Sequence, residues 1–256
     1  MKYSNFFKIL FITLFAFASV KSTAQADETK EYYEFRTYTF ETNEQKEATI
    51  AYLGSAFIPA LNRMNISPVG VFEPLDEEEE IKLYVLITYP SLEDFTNLVE
   101  KLAGDQNYQK AAEGYLKRPL KEPAYQRINS SFMKAFSSIP QIKTPPEGEH
   151  IIELRIYESH NEYAGNKKVK MFNEGELAIF YDTGLTPVFF GQSLVGENLP
   201  NLTYMLTFKD MEERKEAWDK FRVHPDWLSL KEEEQYKGTV SKVSNWFLKP
   251  LTISQL

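Results

Sequence analysis

A chain of 256 residues with 37 acidic and 29 basic side chains has a formal charge of −8, which argues against nucleic acid or an anionic membrane as its main partner. It contains no Cys, so disulfides and thiol nucleophiles are excluded and stability rests on the core that 43% hydrophobic residues can build. Residues 1–26 read as an export signal: Lys2 and Lys8 precede an apolar run from Ile9 to Val20, too short to span a bilayer, and Ala24-Gln25-Ala26 offers a small-residue cleavage site. The expected location is therefore periplasmic or secreted, with no membrane contact once the signal is gone. Removing Lys2, Lys8 and Lys21 takes the charge from −8 to −11.

Tyr32 to Phe40 alternates as a strand does, with Tyr33, Phe35 and Thr37 on one face and Glu34, Arg36 and Tyr38 on the other. A helix follows, capped by Thr42 or Asn43; Ile50, Leu53, Phe57, Leu61 and Met64 recur at helical spacing, and Pro59 should bend it. Pro68 to Pro74 and Ile81 to Tyr89 predict two strands joined by the acidic turn Asp76 to Glu80, which reads as a solvated hairpin tip. Ser91 can cap a second helix that runs through Leu102 and breaks at Gly104. A short helical segment and a strand near Gln126 to Phe136 complete the unit.

The unit then recurs. A constant shift of 119 carries Glu34 to Tyr38 onto Glu153 to Tyr157, Ser67-Pro68-Val69 onto Thr186-Pro187-Val188, Thr88-Tyr89 onto Thr207-Phe208, and Asp105 to Tyr108 onto His224 to Trp227. The predicted second-copy elements are strands at Ile151 to Ser159, Thr186 to Leu194, Leu202 to Lys209 and Thr239 to Leu248, with helices around Val169 to Tyr181 and Asp210 to Phe221. The chain is thus expected to be α+β: two tandem βαββαβ, ferredoxin-like domains at 27–138 and 150–256, with a Pro-bearing linker at 139–149. Each such sheet leaves one face uncovered, so the two are expected to pack sheet to sheet as an internal pseudo-dimer. On that arrangement Glu34, Arg36 and Tyr38 of one copy and Glu153, Arg155 and Tyr157 of the other point into the barrel. They would form either an ion pair that fixes register or a polar cavity for an anionic or carbonyl-bearing molecule.

The two charged strand motifs, the small-residue-Pro-Val strand, the hydrophobic strand followed by an acidic helix, and His224-Pro225-Asp226-Trp227 together resemble the NIPSNAP family over both copies. The resemblance implies a dimeric α/β-barrel domain, here an internal pseudo-dimer with further oligomerisation open, and it implies no particular reaction. The first copy departs from the pattern with Asp105, Gln106 and Tyr108, so a ligand site is expected in the second half, near Glu153, Arg155, Tyr157, His224 and Trp227. Pro225 can open a short helix that Trp227 pins to the sheet, or His224 can line a pocket mouth as an acid or base. His160 is a further candidate, and His150 is expected to be exposed.

Familiar catalytic patterns are absent: the sequence holds no HExxH, GxGxxG or GxxxxGK[ST], and Gly191-Gln192-Ser193 fails as a nucleophile elbow because Val stands at 195. Three His are too few for a His-rich metal site, so no cofactor or metal is expected. Two functions from different classes stay open. One is an exported, non-catalytic module that binds a small molecule or a protein. The other is a cofactor-independent monooxygenase-type α/β-barrel enzyme acting on an aromatic or carbonyl-bearing substrate.

Overall fold

The structure, a computed structural model, describes residues 30–76 and 79–256; the expected export signal and the middle of the acidic turn lie outside the described residues. The first half runs β1 (Tyr32–Phe40), α1 (Asn43–Tyr52), a π-helical turn (Leu53–Phe57), α2 (Ile58–Arg63), β2 (Val69–Pro74), β3 (Ile81–Tyr89), α3 (Leu92–Thr96), α4 (Leu98–Gly104), α5 (Gln106–Leu116) and β4 (Arg127–Ala135). The second half repeats the order with β5 (Ile151–Glu158), α6 (Glu162–Met171), a π-helical turn (Phe172–Glu176), α7 (Leu177–Thr183), β6 (Thr186–Val195), β7 (Asn201–Phe208), α8 (Met211–Val223), α9 (Pro225–Leu230) and β8 (Lys242–Pro250). Side-chain caps fix the helix starts. Thr42 accepts from the Gln45 amide, Ser91 from Asp94, Asn161 from Ala164, and Asp210 from Glu212 and Glu213.

The irregularity in the first long helix is not the work of Pro59. The two π-helical turns are related by the repeat shift, Leu53 to Phe172 and Phe57 to Glu176, and the second copy has Ala178 where the first has Pro59. Pro59 instead opens α2, where a missing N–H costs little.

The two sheets do not merely face each other. β2 pairs with β8 and β4 with β6, so eight strands close into one barrel in the order β1-β3-β2-β8-β5-β7-β6-β4. That order maps onto itself after four places, which puts the pseudo-twofold axis of the duplication along the barrel axis. A lumen cluster that includes Tyr33, Phe35, Phe72, Met133, Leu154 and Phe189 fills the barrel, and two further clusters lie between each half's sheet and its helices.

The structure reverses the expected facing of the charged strands. Tyr33 and Phe35 occupy the lumen, where Tyr33 packs on Phe189 at 4.9 Å between ring centroids. Glu34, Arg36 and Tyr38, and their counterparts Glu153, Arg155 and Tyr157, lie on the outer face beneath the helices. The reason is partner supply: the lumen cluster around Tyr33 and Phe35 holds no cation to pair with a buried carboxylate. The helix side supplies Tyr89, Ser130, Arg214 and Trp218.

The linker is also more than a spacer. Phe136 donates its amide to the Phe190 carbonyl and Lys143 to Val188; after β8, Leu251 donates to Val71 and Gln255 to Val69. Val69 and Val188 are repeat equivalents, as are Val71 and Phe190, so each half sends the arm after its last strand onto the other half. Ile142 and Leu256 from those arms pack against the lumen cluster and close one end of the barrel.

Candidate functional site

The site is built on the outer face of β5. Glu153 is fully buried and accepts from Arg155 Nη1 at 2.7 Å, Arg214 Nε at 2.9 Å and Nη2 at 2.7 Å, and Trp218 Nε1 at 2.8 Å. Arg214, Trp218 and Phe221 stand on α8 at helical spacing, which turns all three toward the sheet. Burial opposes the Glu153 charge, but the Arg214 bonds, the Arg155 charge and the Trp218 N–H outweigh it and hold the carboxyl below its usual value. Glu34 is held below its usual value in the same way: burial opposes its charge, while Arg36 at 2.7 Å, Ser130 at 2.8 Å and Tyr89 at 2.8 Å favour it.

Beside Glu153 lies a second ion pair that the first copy lacks. Lys168 on α6 donates to Glu176, and both side chains are buried. Burial dominates here and pushes the Glu176 carboxyl above its usual value in spite of the Lys168 charge. The π-helical turn sets this geometry, because it ends at Glu176 and brings that side chain round toward Lys168.

Between β5, α8 and α9 these groups line an open cavity of about 270 Å³. Arg155, Lys168, Arg214 and Arg222 line it against a single carboxylate, Glu176, and Tyr157, Trp218, Phe221 and Trp227 supply aromatic walls. The Arg155 guanidinium lies 4.6 Å from the Trp218 ring centroid and 5.5 Å from that of Tyr157. Its Nε is buried without a hydrogen-bond partner among the described residues. A cationic, aromatic-walled pocket of this kind suits an anion carried on a planar apolar body.

In the first half the charged groups of this cavity other than Arg155 are replaced by uncharged ones. Under the repeat shift Lys168 answers to Thr49, Glu176 to Phe57, Arg214 to Phe95 and Trp218 to Val99; Phe95 stacks on Phe132 at 3.9 Å. Arg36 and Tyr38 thus sit against aromatic packing, with Arg36 lying 5.3 Å from the Phe57 ring centroid.

Of the residues singled out in sequence, Arg155, Tyr157 and Trp227 line the cavity and Glu153 lies beneath it. Tyr157 accepts a hydrogen bond from the Tyr204 hydroxyl at 2.9 Å. His224 is not among the lining residues: its Nδ1 accepts from the Asp226 amide at 3.3 Å as the cap of α9. Asp105, its counterpart, caps α5 in the same way through Tyr108. His160 is exposed, while His150 is half-buried rather than exposed, with Nδ1 on the Gly148 carbonyl at 2.9 Å. Lys168, Glu176, Arg214 and Trp218 escaped the sequence reading. They stand where the two copies differ most sharply, charged or large in one and apolar or small in the other, and a column-by-column comparison of the repeats exposes them. Among the described residues no cluster of His, Cys, Asp or Glu is arranged to hold a metal.

The closed eight-stranded barrel, with the helices of each half packed on its outer face, places the protein in the dimeric α/β-barrel class. The chain belongs to the NIPSNAP family, whose profile matches residues 33–139 and 152–255, one match in each copy. A search of curated proteins returns no match. Among solved structures, a candidate monooxygenase from Lactobacillus acidophilus is similar with a TM-score of 0.56 at 11% identity, over 86% of this chain and 94% of that one. A second candidate monooxygenase, from Fusobacterium nucleatum, gives 0.53 at 13% identity over 87% and 93%. A single-site mutant of chlorite dismutase from Candidatus Nitrospira defluvii gives 0.51 at 8% identity over 88% and 93%. At these identities the likeness is one of fold.

Proposed function

We propose that the protein acts after export as a small-molecule binder whose site is the second-half cavity, and that the ligand is an aromatic or otherwise planar anion. The observation that carries this reading is Arg155. It is a guanidinium within 5.5 Å of two aromatic ring centroids, with one nitrogen buried and unpartnered, in a wall where four cations outnumber by one the carboxylates that pair with them, Glu153, Glu176 and Asp219. The alternative, an ion pair that only fixes register, already suffices for the first copy, which pairs Glu34 with Arg36 and has Thr49 and Phe95 where the second copy has Lys168 and Arg214. Titration calorimetry with benzoate, salicylate and 2-naphthoate tests the reading. At least one is expected to bind, with affinity lost in Arg155→Ala and kept in Arg36→Ala. No binding, or equal loss in both variants, overturns it.

A second reading rests on Glu176. A carboxyl held above its usual value in a cavity beside an arginine is placed to exchange a proton with a bound carbonyl compound, and Arg155 is placed to stabilise the resulting enolate oxygen. The fold is shared with two candidate monooxygenases and with a protein named anthrone oxidase-like, which supports an enzyme of the cofactor-independent monooxygenase type. Oxygen uptake with anthrone as probe separates the two: uptake that disappears in Glu176→Gln supports the enzyme, and binding without uptake supports the non-catalytic module.

A further inference from the structure

The lumen rows change character at one level of the barrel. On β1, Tyr33 and Phe35 give way to Thr37 and Thr39, and on β8, Leu248 and Trp246 give way to Ser244 and Lys242. The apolar half is sealed from below by Ile142 and Leu256. Above it, the other half is a cup of about 570 Å³, within the range of roughly 300–1,000 Å³ usual for small-molecule sites. A barrel selected only for stability gains from continuing its apolar rows to the rim, and this one stops them halfway on several strands at once.

The chemistry of the cup differs from that of the second-half cavity. Its charges cancel locally: Lys82 pairs with Glu80 at 3.1 Å and Lys242 with Glu158 at 3.0 Å, while Arg127 and Glu197 add one charge of each sign. An ionic ligand finds no net complement there. The walls instead carry hydroxyl and amide groups, and the side chains of Thr37, Thr39, Asn129 and Ser244 make no hydrogen bond to another described residue. Phe35 and Trp246 lie at the floor, below them. Free hydroxyls and an amide around an aromatic floor match a ligand that is neutral, rich in hydroxyls and faced with C–H groups able to lie on a ring.

We infer that the open end of the barrel is a second binding site, for a short neutral oligosaccharide, independent of the anion cavity under the helices. Titration calorimetry of the intact protein with maltotriose, cellotriose and triacetylchitotriose tests it. At least one is expected to bind with a dissociation constant of about 1 mM or tighter, and Trp246→Ala is expected to weaken it about tenfold. Because Trp246 also packs on the lumen cluster, Asn129→Ala, at an exposed rim position, serves as the second variant and is expected to weaken binding while leaving the thermal melt in place. Arg155→Ala is expected to leave the affinity for these sugars unchanged. No heat with any of the three sugars, affinity that survives both the Trp246 and the Asn129 variant, or affinity lost in Arg155→Ala overturns the assignment.

Discussion

Arg155 and Arg214 share one buried carboxylate but not equally. Arg214 meets Glu153 through two nitrogens and lies 4.8 Å from the Phe247 ring centroid, whereas Arg155 gives a single bond. Arg214→Leu is therefore expected to cost about 3 kcal/mol in urea unfolding, and Arg155→Leu only about 1 kcal/mol because Glu153 keeps its other donors. Equal losses would mean that the two pairs do not divide as the geometry says. The pH dependence follows from the same carboxylates. Glu34 and Glu153 are held below the ordinary value of 4.5, so the stability they contribute is complete above it and is lost as pH falls through their folded values. Glu176 has the opposite sign: held above 4.5, it opposes folding as pH rises through its folded value. Glu153→Gln is thus expected to flatten the acid limb of a stability-against-pH curve, which urea titrations from about pH 3 to 7, across the range of carboxylate titration, would read. His224, as a cap, should be replaceable. Asn caps a helix at least as well, so His224→Asn is expected to keep ligand affinity and melt no lower, whereas a catalytic His would not tolerate the exchange.

The elements themselves were largely legible in the sequence. Alternation located β1 and β3 to the residue, and Ser91 capped its helix as expected. Alternation does not say which face turns inward, however, because β1 and β5 are nearly as buried on one side as on the other. Only the donors available on neighbouring elements decide that, and those come from distant strands and helices. The candidate site was legible in part for the same reason. Arg155 and Trp227 sit in recognisable motifs, whereas Lys168 and Glu176 are brought together by a π-helical turn that no spacing rule for an α-helix contains. Since that turn recurs without proline, Pro59→Ala is expected to shift stability by less than about 1 kcal/mol and to leave the turn intact. A change in the backbone resonances of Leu53 to Phe57 comparable to that of a broken helix would contradict it.

At the scale of the whole molecule the halves are bound by two strand pairings and two exchanged arms. A fragment spanning residues 27–140 would expose the edges of β2 and β4 and its share of the lumen cluster, so light scattering is expected to find homodimers or aggregates; a well-folded monomer would count against the barrel as described. The pseudo-twofold axis that runs along the barrel carries a further consequence. In a true homodimer a cup on that axis is lined by two identical walls, so a ligand lacking twofold symmetry must bind in two superimposed orientations. Fusion into one chain lifts that constraint. Thr39 now faces the counterpart Glu158, Thr37 the counterpart Ile156, and Tyr84 the counterpart Thr203. The cup is free to distinguish one end of a molecule from the other, a discrimination that no symmetric pair of unlinked copies can make at its own axis.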